Sequence, residues 1–285
     1  MFQRGILLAM ASTLLLQSTM GFLRPSTTLS ATRVAAAAGL RFSQTRRSMA
    51  MISTETQGAA ETEEFRVFFK KDGNKISPWH DIPLKADGQT YNFITEIPKF
   101  TKAKMEVATK EAMNPISQDM KKGKLRYYHG PIFWNYGLLP QTWEDPNHEH
   151  PELKVKGDND PVDVVEIGSV ALTVGSVTPV KPLGVLAMID DGELDWKIIA
   201  IAASDPLANE LNDIADVEAK LPGVVSGIRE WFRWYKTPDD KPINAFGFGE
   251  RALAKADALK VIDETHAAWK GFMNGKTDGG KLWKA

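Results

Sequence analysis

The sequence predicts an α+β domain with a mainly β core, built on a small antiparallel sheet or barrel. Strand-like segments occupy the chain up to about residue 204, and helical patterns follow. Neither an internal repeat nor a linker rich in Gly, Ser or Pro separates the two halves.

The strands come first. Phe65, Val67 and Phe69 alternate along a mostly apolar segment that ends at an Asp72-Gly73 turn. Ser77 to Pro83 is too proline-rich for a regular element. Phe93–Ile97 and Met105–Thr109 read as two further strands, and Pro98 stops the first because it has no amide proton for the ladder. Residues 126–150 read as irregular. Val162–Ile167, Leu183–Ile189 and Trp196–Ala202 are strands, and Asp191-Gly192 makes a hairpin turn between the last two. Helices follow. Asp205 is the expected N-cap of the first, with Pro206 as its first residue. A second spans Val224–Tyr235. A third spans Gly249–Gly271, with Leu259, Ile262, His266, Trp269 and Met273 on one stripe. His266 therefore reads as packed core rather than as a ligand.

The domain itself is expected over residues 64–275, with tails at 52–63 and 276–285. Residues 1–20 have the layout of a signal peptide: one arginine, an apolar run from Ile6 to Leu16, then small residues. The run is too short to span a membrane comfortably. Residues 21–51 are rich in Ser, Thr, Ala and Arg and contain no acid, as transit peptides do. The two-part leader, with Phe22 near its junction, resembles those of algae with complex plastids. It predicts the plastid stroma, with a mitochondrial presequence as the alternative.

Composition removes several function classes. Apolar residues make up 43% and charged residues 25%, as in soluble globular proteins. There is no cysteine, which excludes a disulfide framework, a thiolate zinc site and a cysteine nucleophile. The net charge is −1, yet residues 1–54 carry six arginines and no Lys, Asp or Glu, leaving −7 for the rest. An acidic body argues against general nucleic-acid binding, which needs a basic footprint. The five histidines show no zinc-motif spacing.

The carboxylates carry the chemical signal. Gly157-Asp158-Asn159-Asp160-Pro161-Val162-Asp163 places three aspartates at the entry to an apolar strand. Their mutual repulsion favours a site that cations neutralise. Asp158 and Asp160 can face one way if the backbone is extended. An EF-hand loop does not fit, because Pro161 and Val162 occupy its ligand and glycine positions. Asp190, Asp195 and Lys197 cluster about the Asp191-Gly192 hairpin. Lys104 and Glu106 share a strand face, which alone would read as a surface ion pair. Together these segments offer oxygen ligands for Mg²⁺ and cationic donors for phosphoryl groups.

From about Phe65 to Asn274 the chain resembles the eukaryotic branch of the family I soluble inorganic pyrophosphatases. The stretch Asp158 to Asp163 matches that family's D-x-D-P-x-D signature. Further matches are Ser77 to Leu84, Glu96-Ile97-Pro98, Lys122-Gly123-Lys124-Leu125-Arg126, Asn135-Tyr136-Gly137, Pro140 to Pro146, and Trp231 to Lys236. The resemblance implies a five-stranded, closed or partly open barrel of the OB type with flanking helices. It implies hydrolysis of pyrophosphate by a metal-activated water, with two to four Mg²⁺ ions per site.

The resemblance also implies residue roles. Asp160 is the expected general base. Asp158, Asp163 and Asp195 are the expected ligands of the tighter ions, and Asp190, Asp195 and Glu106 of the ions that arrive with substrate. Lys104, Arg126, Lys197, Tyr235 and Lys236 are expected to bind phosphate, with Tyr136 and Glu96 in the same polar cavity. Two departures stand out. Fungal members carry a further tyrosine shortly before Asn-Tyr-Gly, and Gly130 to Trp134 has none. Their dimer contact uses Arg-Trp where Lys99-Phe100 stands here, so both a homodimer and a monomer remain open. An OB-type oligonucleotide binder and an inactive scaffold are the rival functions.

Overall fold

The computed structural model describes residues 52–284, which fall within one compact unit. The two expected leader segments lie outside the described residues. At the centre is a ring of five strands. Tyr91–Ile97 pairs antiparallel with Asn135–Leu138, which pairs antiparallel with Asp163–Glu166. Asp163–Glu166 runs parallel to Glu193–Ala202. The long strand Val177–Asp190 pairs with Glu193–Ala202 over one part of its length and with Tyr91–Ile97 over another, which closes the ring. A register shift between Pro182 and Gly184 accompanies the double duty of that strand, as bulges do where sheets bend. This is the expected OB-type barrel.

Turn chemistry sets the hairpins. Asp191 and Gly192 both have positive φ, 48° and 93°, which a two-residue hairpin turn requires and Asp-Gly supplies cheaply. Asp72-Gly73 does the same, at 51° and 83°, between Arg66–Lys71 and Asn74–Ile76. These two strands belong to a second antiparallel sheet with Ile52–Gln57, Met105–Val107 and Ile116–Gln118. Alternation along each ring strand feeds two separate apolar clusters. One contains Phe93, Val164, Val185 and Ile198, against the third helix; the other contains Ile94, Val165, Leu186 and Ile199, against the first two.

Helices α1 (Ile214–Lys220), α2 (Val224–Trp234) and α3 (Lys255–Met273) complete the domain. In α2, Val225, Ile228 and Phe232 are buried at helical spacing. That helix stops short of Pro238, which lies in a separate 3₁₀ turn at Thr237–Asp239. In α3 the fully buried residues are Ala258, Val261, Ile262, Thr265 and Phe272, with Leu259, Trp269 and Met273 at the margin. His266 is partly buried, donates from Nδ1 to the Gln141 carbonyl (2.6 Å) and stacks on Trp269. No helix among the described residues is long and apolar enough to cross a membrane.

Five expectations need correction. Residues 52–63 are not a free tail: Ile52–Gln57 pairs along the whole of Arg66–Lys71, held by backbone bonds and a Glu55–Lys70 ion pair. Its polar composition hides that strand from an apolar-pattern reading. Residues 276–285 pack onto the domain through Leu282, which joins Trp79, Trp143 and Phe272, and through Trp283 N–H to Thr109 O (2.9 Å). Asp205 caps only a turn, donated to by Leu207 N (2.9 Å) and Ser169 N (2.7 Å); the first helix starts at Ile214, capped by Asp213. The third helix starts at Lys255, because Gly249 and Glu250 take positive φ and Leu253–Ala254 pairs with the long strand. Finally, the irregular stretch 126–150 contains the ring strand Asn135–Leu138. Its Gly and Asn lower strand propensity, yet Gly137 is required: a Cβ there would overlap the Ile94 carbonyl and lie 2.8 Å from Glu96 N.

Gly137→Ala must therefore force two ring strands apart. Its stability is expected to fall by about 2 kcal/mol or more, read as a lower midpoint in urea unfolding; an unchanged midpoint would contradict the packing just described.

Candidate active site

All thirteen residues expected at the site line one cleft of about 1020 Å³ at the edge of the barrel. The ring delivers them by register. Asp163 lies opposite Lys197 across the parallel pair, and Asp195 precedes Lys197 by two residues on the same strand face. Lys197, 1% exposed, donates to both carboxylates and to the Tyr136 hydroxyl (3.0 Å), and Tyr136 in turn donates to Asp163. The hairpin delivers Asp190, which accepts from the Tyr235 hydroxyl (2.8 Å) and from Lys236 at the end of α2. The hairpin aspartate Asp190 thus faces α2 rather than Lys197. Met105–Val107 and the loop before it supply Glu106 and Lys104, which pair with each other; Arg126 pairs with Asp119 (2.8 Å). Glu96 is buried and accepts from Val107 N (2.5 Å).

The Asp158–Asp160 loop is not extended. Asn159 has φ of 75°, a conformation that asparagine tolerates, and its Oδ1 accepts from Trp143 Nε1 (3.0 Å). Asp158 Oδ1 accepts from Asp160 N (3.0 Å). Backbone bonds tie the loop to Glu144 at both ends, Glu144 N to Asp160 O and Asn159 N to Glu144 O, each 2.9 Å. Both aspartates still reach the cleft, through a turn instead of a shared strand face.

The structure adds residues with no assigned role in the sequence reading. Asp119 accepts from both Lys104 (3.2 Å) and Arg126. A lone aspartate after a short strand gave no signal. Glu144 stood only as part of a matching motif. It is 3% exposed, its Oε1 accepts from Trp196 N (2.8 Å), and its Oε2 is buried with no partner among the described residues. Glu144, Asp158 and Asp195 each place a carboxylate oxygen within 4.8 Å of the others. Three carboxylates so close, one with an orphaned oxygen, fit a hard divalent cation.

Electrostatics point the same way. Burial pushes the Asp158, Glu144 and Glu96 carboxyls well above the usual range, and neighbouring carboxylates push them further. Asp160 is exposed by surface area yet walled in by the cleft; desolvation there, with Glu106 and Asp163, lifts it to about 7. Asp195 is also raised by burial, against the pull of Lys197. Lys197 is held well above its ordinary value: burial opposes its charge, but Asp163 and Asp195 outweigh that.

The family profile for inorganic pyrophosphatase matches residues 93–270. The chain belongs to the inorganic pyrophosphatase family. Among its relatives are soluble inorganic pyrophosphatase 6, chloroplastic, of Arabidopsis thaliana and soluble inorganic pyrophosphatase 1, chloroplastic, of Chlamydomonas reinhardtii. The first is 54% identical over 81% of this chain and 78% of its own. The second is 55% identical over 78% of this chain and 80% of its own. Among solved pyrophosphatases, that of Schistosoma japonicum superposes with a TM-score of 0.79 at 46% identity, covering 81% of this chain and 84% of its own. A truncated vacuolar soluble pyrophosphatase of Trypanosoma cruzi, solved in complex with PPi, gives 0.77 at 40% identity, covering 87% and 99%.

The raised carboxyls set a sign for pH dependence. Asp160 binds its proton more tightly folded, near 7, than unfolded, near 3.9. Its contribution to the cation-free fold is present below the unfolded value and is lost as pH climbs toward 7. Bound cations remove the repulsion that deprotonation creates. The rise in Tm on adding a divalent cation is expected to be larger at about pH 7.5 than at about pH 5.5; equal rises, measured by calorimetry, would contradict this.

Proposed function

We propose that this chain hydrolyses inorganic pyrophosphate to two phosphates, using divalent cations held by the cleft's carboxylates. The observation that carries the reading is the convergence of Asp158, Asp160, Asp163, Asp190, Asp195 and Glu106 with Lys104, Arg126, Lys197 and Lys236 on one cleft. A fully ionised pyrophosphate needs both halves: cations to mask its charge, and donors to hold its oxygens.

Asp158, Asp163 and Asp195 would hold the tighter ions, with Glu144 beside them. Asp190, Asp195 and Glu106 would hold those that accompany substrate. Mg²⁺ suits such oxygen donors, and the family resemblance implies two to four ions. When bound, the cations acidify water and neutralise charge on the phosphoryl groups. The chain's own residues do the rest. Asp160 takes the proton of the attacking water as its oxygen bonds to phosphorus. The bond from that phosphorus to the bridging oxygen breaks, and the electron pair leaves with the second phosphate. Lys104, Arg126, Lys197, Tyr235 and Lys236 hold phosphoryl oxygens as charge builds on them. No covalent intermediate with the protein is required. A carboxylate-lined cleft disfavours the oligonucleotide-binding alternative, since a polyphosphate backbone seeks a basic groove.

For place, the leader's composition and the chloroplastic relatives support the plastid stroma. Residues 1–51 fused to a fluorescent protein are expected to direct it to plastids. A mitochondrial or cytosolic signal would refute that. For chemistry, phosphate release by a protein beginning near Ile52 is expected to require Mg²⁺ and to drop by about 10²–10⁴ in Asp160→Asn. An Asp160→Asn variant as active as the parent would remove Asp160 from the role of base.

A further inference from the structure

Three tyrosines line the cleft: Tyr128, Tyr136 and Tyr235. Two of them already donate to carboxylates, Tyr136 to Asp163 and Tyr235 to Asp190. Tyr128 does not. Its residue is 5% exposed, yet among the described residues its hydroxyl has no hydrogen-bond partner. That hydroxyl is not sealed in the core either, because it is absent from the few fully buried polar atoms left unpaired, Thr90 Oγ1, Glu144 Oε2 and Asn244 Oδ1. It opens on the cleft.

The position is built. Tyr128 N donates to Lys102 O (2.7 Å), and an adjacent bridge joins Tyr127 to Ala103, so the backbone is fixed. The ring packs edge-on against Trp231 at 4.9 Å and Tyr235 at 5.8 Å, which fixes its direction. Trp231 is itself anchored by its indole N–H to Pro131 O (3.0 Å). Around the phenol lie the charges of Lys104, Lys197 and Arg126, with Asp163 as the opposing carboxylate. Burial pushes the phenol above its ordinary value, so it keeps its proton as a neutral donor. A fixed donor among three cations is placed to give its hydrogen to an anionic acceptor drawn in by those cations. The neighbouring margin, Gly130 to Trp134, offers no hydroxyl of its own.

We propose that Tyr128 donates its phenolic hydrogen to a phosphoryl oxygen of bound pyrophosphate and so is a substrate-contacting residue of this enzyme. The assignment rests on the pyrophosphatase reading. It makes a distinct demand: the hydroxyl matters for substrate, and the ring matters for packing.

Tyr128→Phe separates the two, since it keeps the ring against Trp231 and Tyr235. With Mg²⁺ present, kcat/KM for pyrophosphate is expected to fall about ten- to hundred-fold. Affinity for methylenediphosphonate, a non-hydrolysable analogue, is expected to weaken while the Tm stays at the wild-type value. Tyr128→Leu, which also removes the ring, is expected to lower the Tm as well. A Phe variant within about twofold of wild type in kcat/KM and analogue affinity overturns the assignment and leaves the pyrophosphatase reading standing. A Phe variant that loses Tm in step with activity also overturns it, since the hydroxyl would then serve the fold. A wild-type protein that releases no phosphate overturns both.

Discussion

Carboxylates that sit this close together in a cleft cannot all carry charge unless cations lie among them. That constraint organises the cleft. Counter-charge also comes from within the chain: Lys197 answers Asp163 and Asp195, Lys236 answers Asp190, and Lys104 answers Glu106 and Asp119. Asp158, Glu144 and Glu96, raised by burial and by neighbouring carboxylates, are the groups whose charge the cleft disfavours most.

The barrel is what makes such crowding sustainable. Asp163, Asp195 and Lys197 come from adjacent ring strands whose ladder bonds fix their spacing. Alternation means that the next residues along, Val164, Trp196 and Ile198, go to the opposite apolar cluster. Each strand therefore contributes to the site on one face and to the core on the other. Gly137 lets the ring close at Ile94, and Gly157 lets the aspartate loop lie against the Glu144 backbone, where a Cβ would come within 2.5–2.9 Å.

Most of this was legible in the sequence. The strands with strong apolar runs, the two Asp-Gly turns and the aspartate triplet all announced themselves locally. What escaped reading depends on distant partners. Ile52–Gln57 is polar and becomes a strand only because Arg66–Lys71 lies beside it. Asn135–Leu138 is short and contains glycine, yet the ring cannot close without it. Glu144 and Tyr128 are single polar residues whose neighbours Asp195 and Trp231 come from remote parts of the chain, and Asp119 is a lone acid that finds Arg126 and Lys104 only once the strands fold. Asp205 shows the reverse error: a Ser-Asp-Pro string promised a helix cap, and the side chain instead secures Ser169 across the fold.

The internal pairing of the cleft turns ligand capture into a double exchange. Each lysine that would grip a phosphate is already bonded to a carboxylate that would grip a metal. An anion arriving alone would pull the lysines away and leave bare carboxylates behind. A cation arriving alone would leave the ammonium groups without partners. Only a metal and an anion that come together let every charge trade one mate for another at no net loss. The cleft is in effect a set of intramolecular salts, matched charge for charge to a metal and an anion that arrive as one.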